Sequence, residues 1–171
     1  MLIKKAIIRT MGMVLLVLTI PLSTLQAQNK SGYQRPPESI AKLIDAPSTP
    51  SVSIDSKGEW MLLMERPGYP SIEEVSAKEL RIAGTRINPA TNGRSRASHM
   101  TGLKLKNIAS GNEFGFTGMP NKPQISNVRW SDDESKIGFT NTTAVGIELW
   151  VIDVANKSAK KLLGAVVNNA Y

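Results

Sequence analysis

From Ser51 onward, short runs of apolar residues alternate with polar turns. Val52-Ser53-Ile54 leads into the turn Asp55-Ser56-Lys57-Gly58, and Trp60 to Met64 follows as an apolar strand. Gly102-Leu103-Lys104-Leu105-Lys106-Asn107-Ile108 alternates at period two, Ala109 to Asn112 is a turn, and Glu113-Phe114-Gly115-Phe116 returns. Alternation at period two bounded by turn residues predicts half-buried antiparallel strands and hairpins. Before this region the period is different. Pro36-Pro37 opens a stretch in which Ile40, Leu43 and Ile44 fall at helical spacing, and Ala46-Pro47 closes it. That predicts one short helix, with proline suited to its first turn.

The strand phrases recur. Val128 to Thr140 repeats strand, polar turn and strand, and Glu148 to Leu163 repeats the later hairpin. Leu103 aligns with Leu149 and Phe116 with Leu162 without a gap, an offset of 149 − 103 = 46 residues. The turn at Asp55 aligns with Ser131, an offset of 131 − 55 = 76. The first unit therefore carries an insertion of 76 − 46 = 30 residues, placed at about 65–99. A repeat of about 40–50 residues made of four strands is the spacing of a β-propeller blade. The expected fold is all-β: a partial β-propeller of about two four-stranded antiparallel blades, spanning 51–171, with the second blade at about 125–165. Propellers close with about 4–8 blades, so the sequence is expected to be an N-terminal portion of a ring. A small β-sandwich is the other arrangement that the strand pattern allows, and the gapless second hairpin favours blades.

The N-terminus changes the picture of where this fold resides. Lys4, Lys5 and Arg9 precede an apolar run from Met11 to Leu22, and Ala27 offers a small residue for cleavage. This is the three-part pattern of a secretory signal peptide, expected at 1–27. Its apolar core is about a dozen residues, against the roughly 20 that span a bilayer. Export to a periplasmic or extracellular space is the expected localisation, with an uncleaved anchor as the alternative. Residues 28–50 then read as a flexible segment followed by the short helix.

Charge and rare residues narrow the chemistry. The formal net charge is +7, and three of those charges lie in residues 1–27, leaving +4. Basic residues are scattered among acids, and nucleic-acid binding needs a clustered basic face. There is no cysteine and one histidine, which excludes disulfides, thiolate ligands and the usual zinc sets. No cofactor or metal is expected. Asp132-Asp133-Glu134 lacks the ligand spread of a calcium loop and reads as a tight turn. Trp60, Trp130 and Trp150 are expected to pack between blades. Asn29, Asn141 and Asn156 each begin a glycosylation sequon.

Gly93-Arg94-Ser95-Arg96-Ala97 stops one residue short of the G-x-S-x-G elbow, with His99 close behind. An elbow needs a strand-turn-helix setting, and triad partners converge from distant segments. Asn88 to Gly93 is turn-rich, so Ser95 is expected to be a loop serine. Arg94 and Arg96 are the candidate substrate-binding residues, placed to meet an acidic side chain or a carboxy terminus.

"PPESIAKLIDAPSTP", "LRIAGTRINPATN", "VRWSDDESKIGFT" and "ELWVIDVANKSAKKLL" resemble the start of the prolyl-oligopeptidase family of serine peptidases, nearest its glutamyl endopeptidase-like branch. Leu80 to Asn92 is the most specific part. Glu134 stands where glycine is usual in the W-S-x-D-G-like turn. The resemblance implies an N-terminal propeller that gates a C-terminal α/β-hydrolase domain, with peptides as substrates and the remaining blades as partners. No G-x-S-x-G occurs in the chain, so no catalytic residue carries over and the chain alone is expected to be inactive. The alternative is a non-catalytic envelope propeller that binds a protein or glycan.

Overall fold

The computed structural model describes residues 35–169. The expected signal peptide at 1–27 lies outside them. Among the described residues, no helix is long and apolar enough to cross a membrane. The chain divides into two units, up to Ile44 and from Asp45 on. The first contains helix α1 (Glu38–Ile44). Its first turn closes on the Pro37 carbonyl, which accepts from the Ile40 and Ala41 amides at 2.9 and 3.0 Å.

The second unit is built mainly on antiparallel β-sheets. Strands β1 (Ser51–Ile54), β2 (Trp60–Glu65), β6 (Gly102–Asn107) and β7 (Glu113–Gly115) form one four-stranded sheet in that order. Strands β8 (Ile125–Trp130), β9 (Lys136–Thr143), β10 (Gly146–Asp153) and β11 (Ser158–Val167) form a second, again in chain order. Between β2 and β6 lie helix α2 (Ile72–Ser76) and a three-stranded sheet of β3 (Leu80–Ile82), β4 (Thr85–Asn88) and β5 (Gly93–Arg94).

The two four-stranded sheets share one register over most of their paired strands, apart from a bulge in β8 between Ser126 and Arg129 and irregularities where β10 meets β11 near Leu149. Leu62 pairs with Leu105 in the first, and Gly138 pairs with Val151 in the second. These positions differ by the 76 and 46 residues read from the sequence. Ser53 opposite Leu62 likewise becomes Arg129 opposite Gly138, and Lys106 opposite Glu113 becomes Ile152 opposite Ala159. The side-chain period of a strand is two, so a slip of one residue would reverse every face. Equal register therefore means equal faces.

Those faces meet head to tail. The core joins Leu62 and Leu103 of the first sheet to Ile125, Ile137, Phe139, Trp150 and Ile152 of the second. Ile137, Phe139, Trp150 and Ile152 correspond to Met61, Leu63, Lys104 and Lys106 of the first sheet. Those four occupy its opposite face, beside Val52 and Ile54, which are 49% and 53% exposed. The first sheet thus presents one face to a partner that answers with the other. Such a heterologous contact does not satisfy itself and leaves one free face at each end.

The sheets are also joined at their turns. Asp55-Ser56-Lys57-Gly58 and Ser131-Asp132-Asp133-Glu134 have the same hydrogen bonds: Asp55 and Ser131 amides donate to the carbonyls of Trp60 and Lys136 at 3.0 and 2.9 Å. Gly58 has φ +68°, and its counterpart Glu134 has φ +57°. A left-handed backbone costs a non-glycine residue about 1–2 kcal/mol. Glu134 offsets it by reaching into the first sheet's turn, where its carboxylate accepts from the Ser56 amide at 2.7 Å and the Ser56 hydroxyl at 2.8 Å. The other turn repeats this design. Gly111 has φ +73°, and its counterpart Lys157 has φ +51°. The Lys157 ammonium lies 4.7 Å from the Phe114 ring centre and 5.8 Å from that of Trp60. Trp130 adds a third link by donating from its indole to the Ser53 hydroxyl at 3.0 Å. Glu134→Ala should cost about 1–2 kcal/mol, because the strain stays and the bonds go. Glu134→Gly should cost less, because it removes both. Urea unfolding of the two variants side by side gives the order.

Asp133 accepts from the Ser131 hydroxyl at 2.6 Å, the Ser135 hydroxyl at 2.8 Å and the Ser135 amide at 3.2 Å. These bonds, the Ser131 hydroxyl first, hold its carboxyl down to about 2 from an ordinary 3.8. A depressed folded pKa gives stability that is present above the unfolded value and lost as pH falls through the folded one. Between pH 3.8 and 2, Asp133→Asn should therefore lose less stability on acidification than the wild type, as measured by urea midpoints.

Candidate functional site

The segment between β2 and β6 is more ordered than a polar loop. Ser71 caps α2: its hydroxyl accepts from the Glu74 amide, and Glu74 accepts from the Ser71 amide at 2.6 Å. Ser-x-x-Glu is the capping-box pattern, so this helix had a readable signal. Ala83 and Gly84, at φ +47° and +82°, turn β3 into β4, as two-residue hairpins require. Cross-strand neighbours Arg81 and Arg86 carry like charges, which disfavours the pair. Glu79 reconciles them. Its mostly buried carboxylate lies 3.5 Å from Arg81, 3.0 Å from Arg86 and 3.4 Å from Arg96. The Arg96 contact is an ion pair without hydrogen-bond alignment, and Glu79 Oε2 makes no hydrogen bond among the described residues.

This small sheet is fastened to the second large one. Gly93 bridges to Asn169. A side chain at Gly93 would come within 2.7 Å of Ile147 Cδ1, so the two segments approach closely here and the Ile147 side chain would have to shift to admit one. Between the two lies a cleft of about 440 Å³, lined by Glu73, Arg94, Arg96, Lys122, Asn141 and others, Ser95 and His99 among them. A second, mainly apolar cleft of about 290 Å³ adjoins it, with Pro67, Tyr69, Pro70 and Val75 in its wall.

The residues singled out from sequence fall as follows. Ser95 and His99 line the same cleft. Ser95 directly follows β5, and its amide donates to the Arg86 carbonyl at 2.9 Å. Its hydroxyl is shut off from solvent and has no hydrogen-bond partner among the described residues. His99 instead faces Glu74, with Nδ1 3.5 Å from the carboxylate. No general base therefore contacts the Ser95 hydroxyl, as an activated nucleophile requires. Arg96 is engaged: besides Glu79, it donates to the Val75 carbonyl at 3.3 Å. Arg94 is exposed, lines the cleft and has no acid partner among the described residues. Lys122, on the connection from β7 to β8, shares the cleft wall.

The other motifs are absorbed by structure. Trp150 packs in the core, and its indole donates to Glu148 at 2.8 Å. Burial works against ionisation of Glu148. Hydrogen bonds from Lys161, Trp150 and Asn141 overcome it and hold the carboxyl below its ordinary value. Asn141 is only 3% exposed and bonds Gln124 and Glu148, so that sequon is closed to modification in the folded chain. Asn156 is exposed, and Asn29 lies outside the described residues.

Comparison with known proteins supplies the remaining constraint. A protein of Arabidopsis thaliana named probable glutamyl endopeptidase, chloroplastic, is 30% identical over 144 residues, covering 79% of this chain and 15% of that protein. Its namesake in Oryza sativa subsp. japonica is 29% identical over 141 residues, covering 77% of this chain and again 15% of the relative. The chain is related to proteins named as peptidases. It spans about 15% of the length of these curated relatives. No family model matches it. No solved structure matches it.

Proposed function

We propose that this chain is the N-terminal part of a β-propeller in an exported serine-type peptidase, where the propeller gates peptide access to an α/β-hydrolase domain. The observation that carries this reading is the register-matched, head-to-tail packing of the two four-stranded sheets. A sandwich pairs two faces and is complete, whereas a head-to-tail pair calls for further copies. Here exposed Val52 and Ile54 lie beside half-buried Met61 and Leu63 on one outer face, and half-buried Leu149 and Val151 share the other with Gly138. The likeness to glutamyl endopeptidases supports the peptidase assignment, and cleavage after glutamate is the specificity it suggests. The charge pattern of residues 1–27 supports export.

The test uses the protein expressed from the complete reading frame. It should cleave a fluorogenic peptide containing glutamate, lose activity to a serine-directed phosphonylating reagent, and act poorly on folded proteins. Ser95→Ala should leave cleavage within about twofold of wild type and should not lower the melting temperature, because the hydroxyl has no partner to lose. Absence of peptide cleavage by the complete product would overturn the peptidase reading in favour of an envelope propeller that only binds.

A further inference from the structure

The cleft between the small sheet and the second large sheet is polar in a particular way. The apolar side chains in its wall are alanines. Its charged side chains are either exposed to water, as Glu73, Arg94 and Lys122 are, or already engaged. Glu74 meets His99 and the Ser71 amide, and Arg96 meets Glu79. The rest of the wall is neutral hydroxyl and amide side chains. Five of these are free to bind. Thr91 lies in the turn between β4 and β5, Asn121 and Gln124 on the connection from β7 to β8, Ser126 on β8 and Thr142 on β9. Ser126 opposes Thr140 in the ladder, and Thr142 follows two residues later, so both side chains leave one face of the second sheet.

These five side chains make no hydrogen bond among the described residues. Thr91 is the sharpest case. It is 4% exposed, and a hydroxyl held that deep loses hydration without gaining an internal partner. The main chain around the others is tied down. The Gln124 amide donates to Asn141 Oδ1 at 3.0 Å, and its carbonyl accepts from the Thr142 amide at 2.9 Å. That leaves the Gln124 carboxamide spare on a fixed backbone. On the same connection, Lys122 has φ +48° and precedes Pro123, two reasons to avoid that conformation. Strained backbone of this kind recurs at ligand clamps. The volume of about 440 Å³ suits a small molecule. Hydroxyls and carboxamides each donate and accept, so they pair best with a ligand whose own groups do both.

We propose that this cleft binds a neutral saccharide through the hydroxyls of Thr91, Ser126 and Thr142 and the carboxamides of Asn121 and Gln124. Sugar hydroxyls donate and accept, and they need no large apolar wall, which a peptide side chain would. All five residues belong to this chain and none takes part in cleavage, so the site stands or falls independently of the peptidase reading. Isothermal titration calorimetry of the full chain with maltose, cellobiose and N,N′-diacetylchitobiose tests it. At least one should bind saturably, with an affinity that holds within about twofold between about 50 and 500 mM salt, because no ion pair forms. Thr91→Val should weaken that binding about two- to tenfold, the worth of one neutral hydrogen bond. It should not lower the melting temperature, because the hydroxyl has no internal partner to lose; a merely structural Thr91 would lower the melt and leave binding alone. Asn121→Ala, at an exposed position, should weaken binding by a similar factor with an unchanged melt. No binding of any of the three sugars, unchanged binding in both variants, or tighter binding of triglycine than of the sugars would each overturn the assignment.

Discussion

Phe139→Ala is expected to lower the unfolding free energy by about 3–5 kcal/mol, which is roughly 10–20 °C in melting temperature for a domain of this size. Phe139 is 1% exposed and lies on β9, a central strand of the second sheet. It stacks on Trp150 at 6.1 Å and 15° and belongs to the cluster that includes Leu62 and Leu103 of the first sheet. Truncation removes an aromatic ring where both sheets supply the surroundings, and neither can collapse into the space without leaving its own hydrogen-bond ladder. The loss should appear in both sheets at once, as one shifted transition by tryptophan fluorescence and by far-UV circular dichroism. Leu162→Ala, at an exposed position on the edge strand β11, should cost less than about 0.5 kcal/mol. Similar costs for the two would mean that the shared core does not hold the sheets together.

Gly118→Ala is expected to cost about 2–4 kcal/mol. Two effects add. Gly118 has φ +72°, which alanine adopts at about 1–2 kcal/mol. An added Cβ would also lie 2.6 Å from the Ala159 carbonyl oxygen, a backbone atom that cannot step aside. The neighbouring bonds run between the sheets: the Ala159 amide donates to the Thr117 carbonyl at 2.7 Å, and the Thr117 amide donates to the Lys157 carbonyl at 2.9 Å. The alanine methyl must push β11 away from this crossing. Gly58→Ala supplies the control. Its φ is +68°, but nothing lies within 4 Å of the new methyl, so only the conformational cost of about 1–2 kcal/mol remains. Urea midpoints for the pair separate the steric part from the backbone part.

The large sheets were legible in the sequence because their signal is periodic and occurs twice. Alternation placed Leu103, Leu105 and their partners, and the offsets of 76 and 46 residues return as the register of the inner strand pairs and of β8 with β9 up to the bulge before Arg129. The small sheet was not legible for the opposite reason. Strands β3 to β5 have two to four residues each, too few to establish a period, and they are held by Glu79 and by Gly93 against Ile147 rather than by an apolar face. Glu134 stood out as a departure from glycine, but its purpose depends on Ser56 lying opposite, a contact between distant segments. At the cleft, Arg94 and Arg96 were found by their local string. The structure separates them, tying Arg96 to Glu79 and leaving Arg94 open. Lys122 carried no local signal, since its position in the cleft comes from the route of the chain between β7 and β8.

In the proposed propeller the two four-stranded sheets are successive, equivalent members of a larger ring. The most direct measurement is an experimental structure of the protein expressed from its complete reading frame. Further four-stranded antiparallel sheets in the same register are expected. One should cover the face of Leu149 and Val151, and another that of Met61 and Leu63, each in the head-to-tail manner already seen between Leu62 and Phe139. Both faces left bare to solvent, or covered by elements of a different kind, would contradict it.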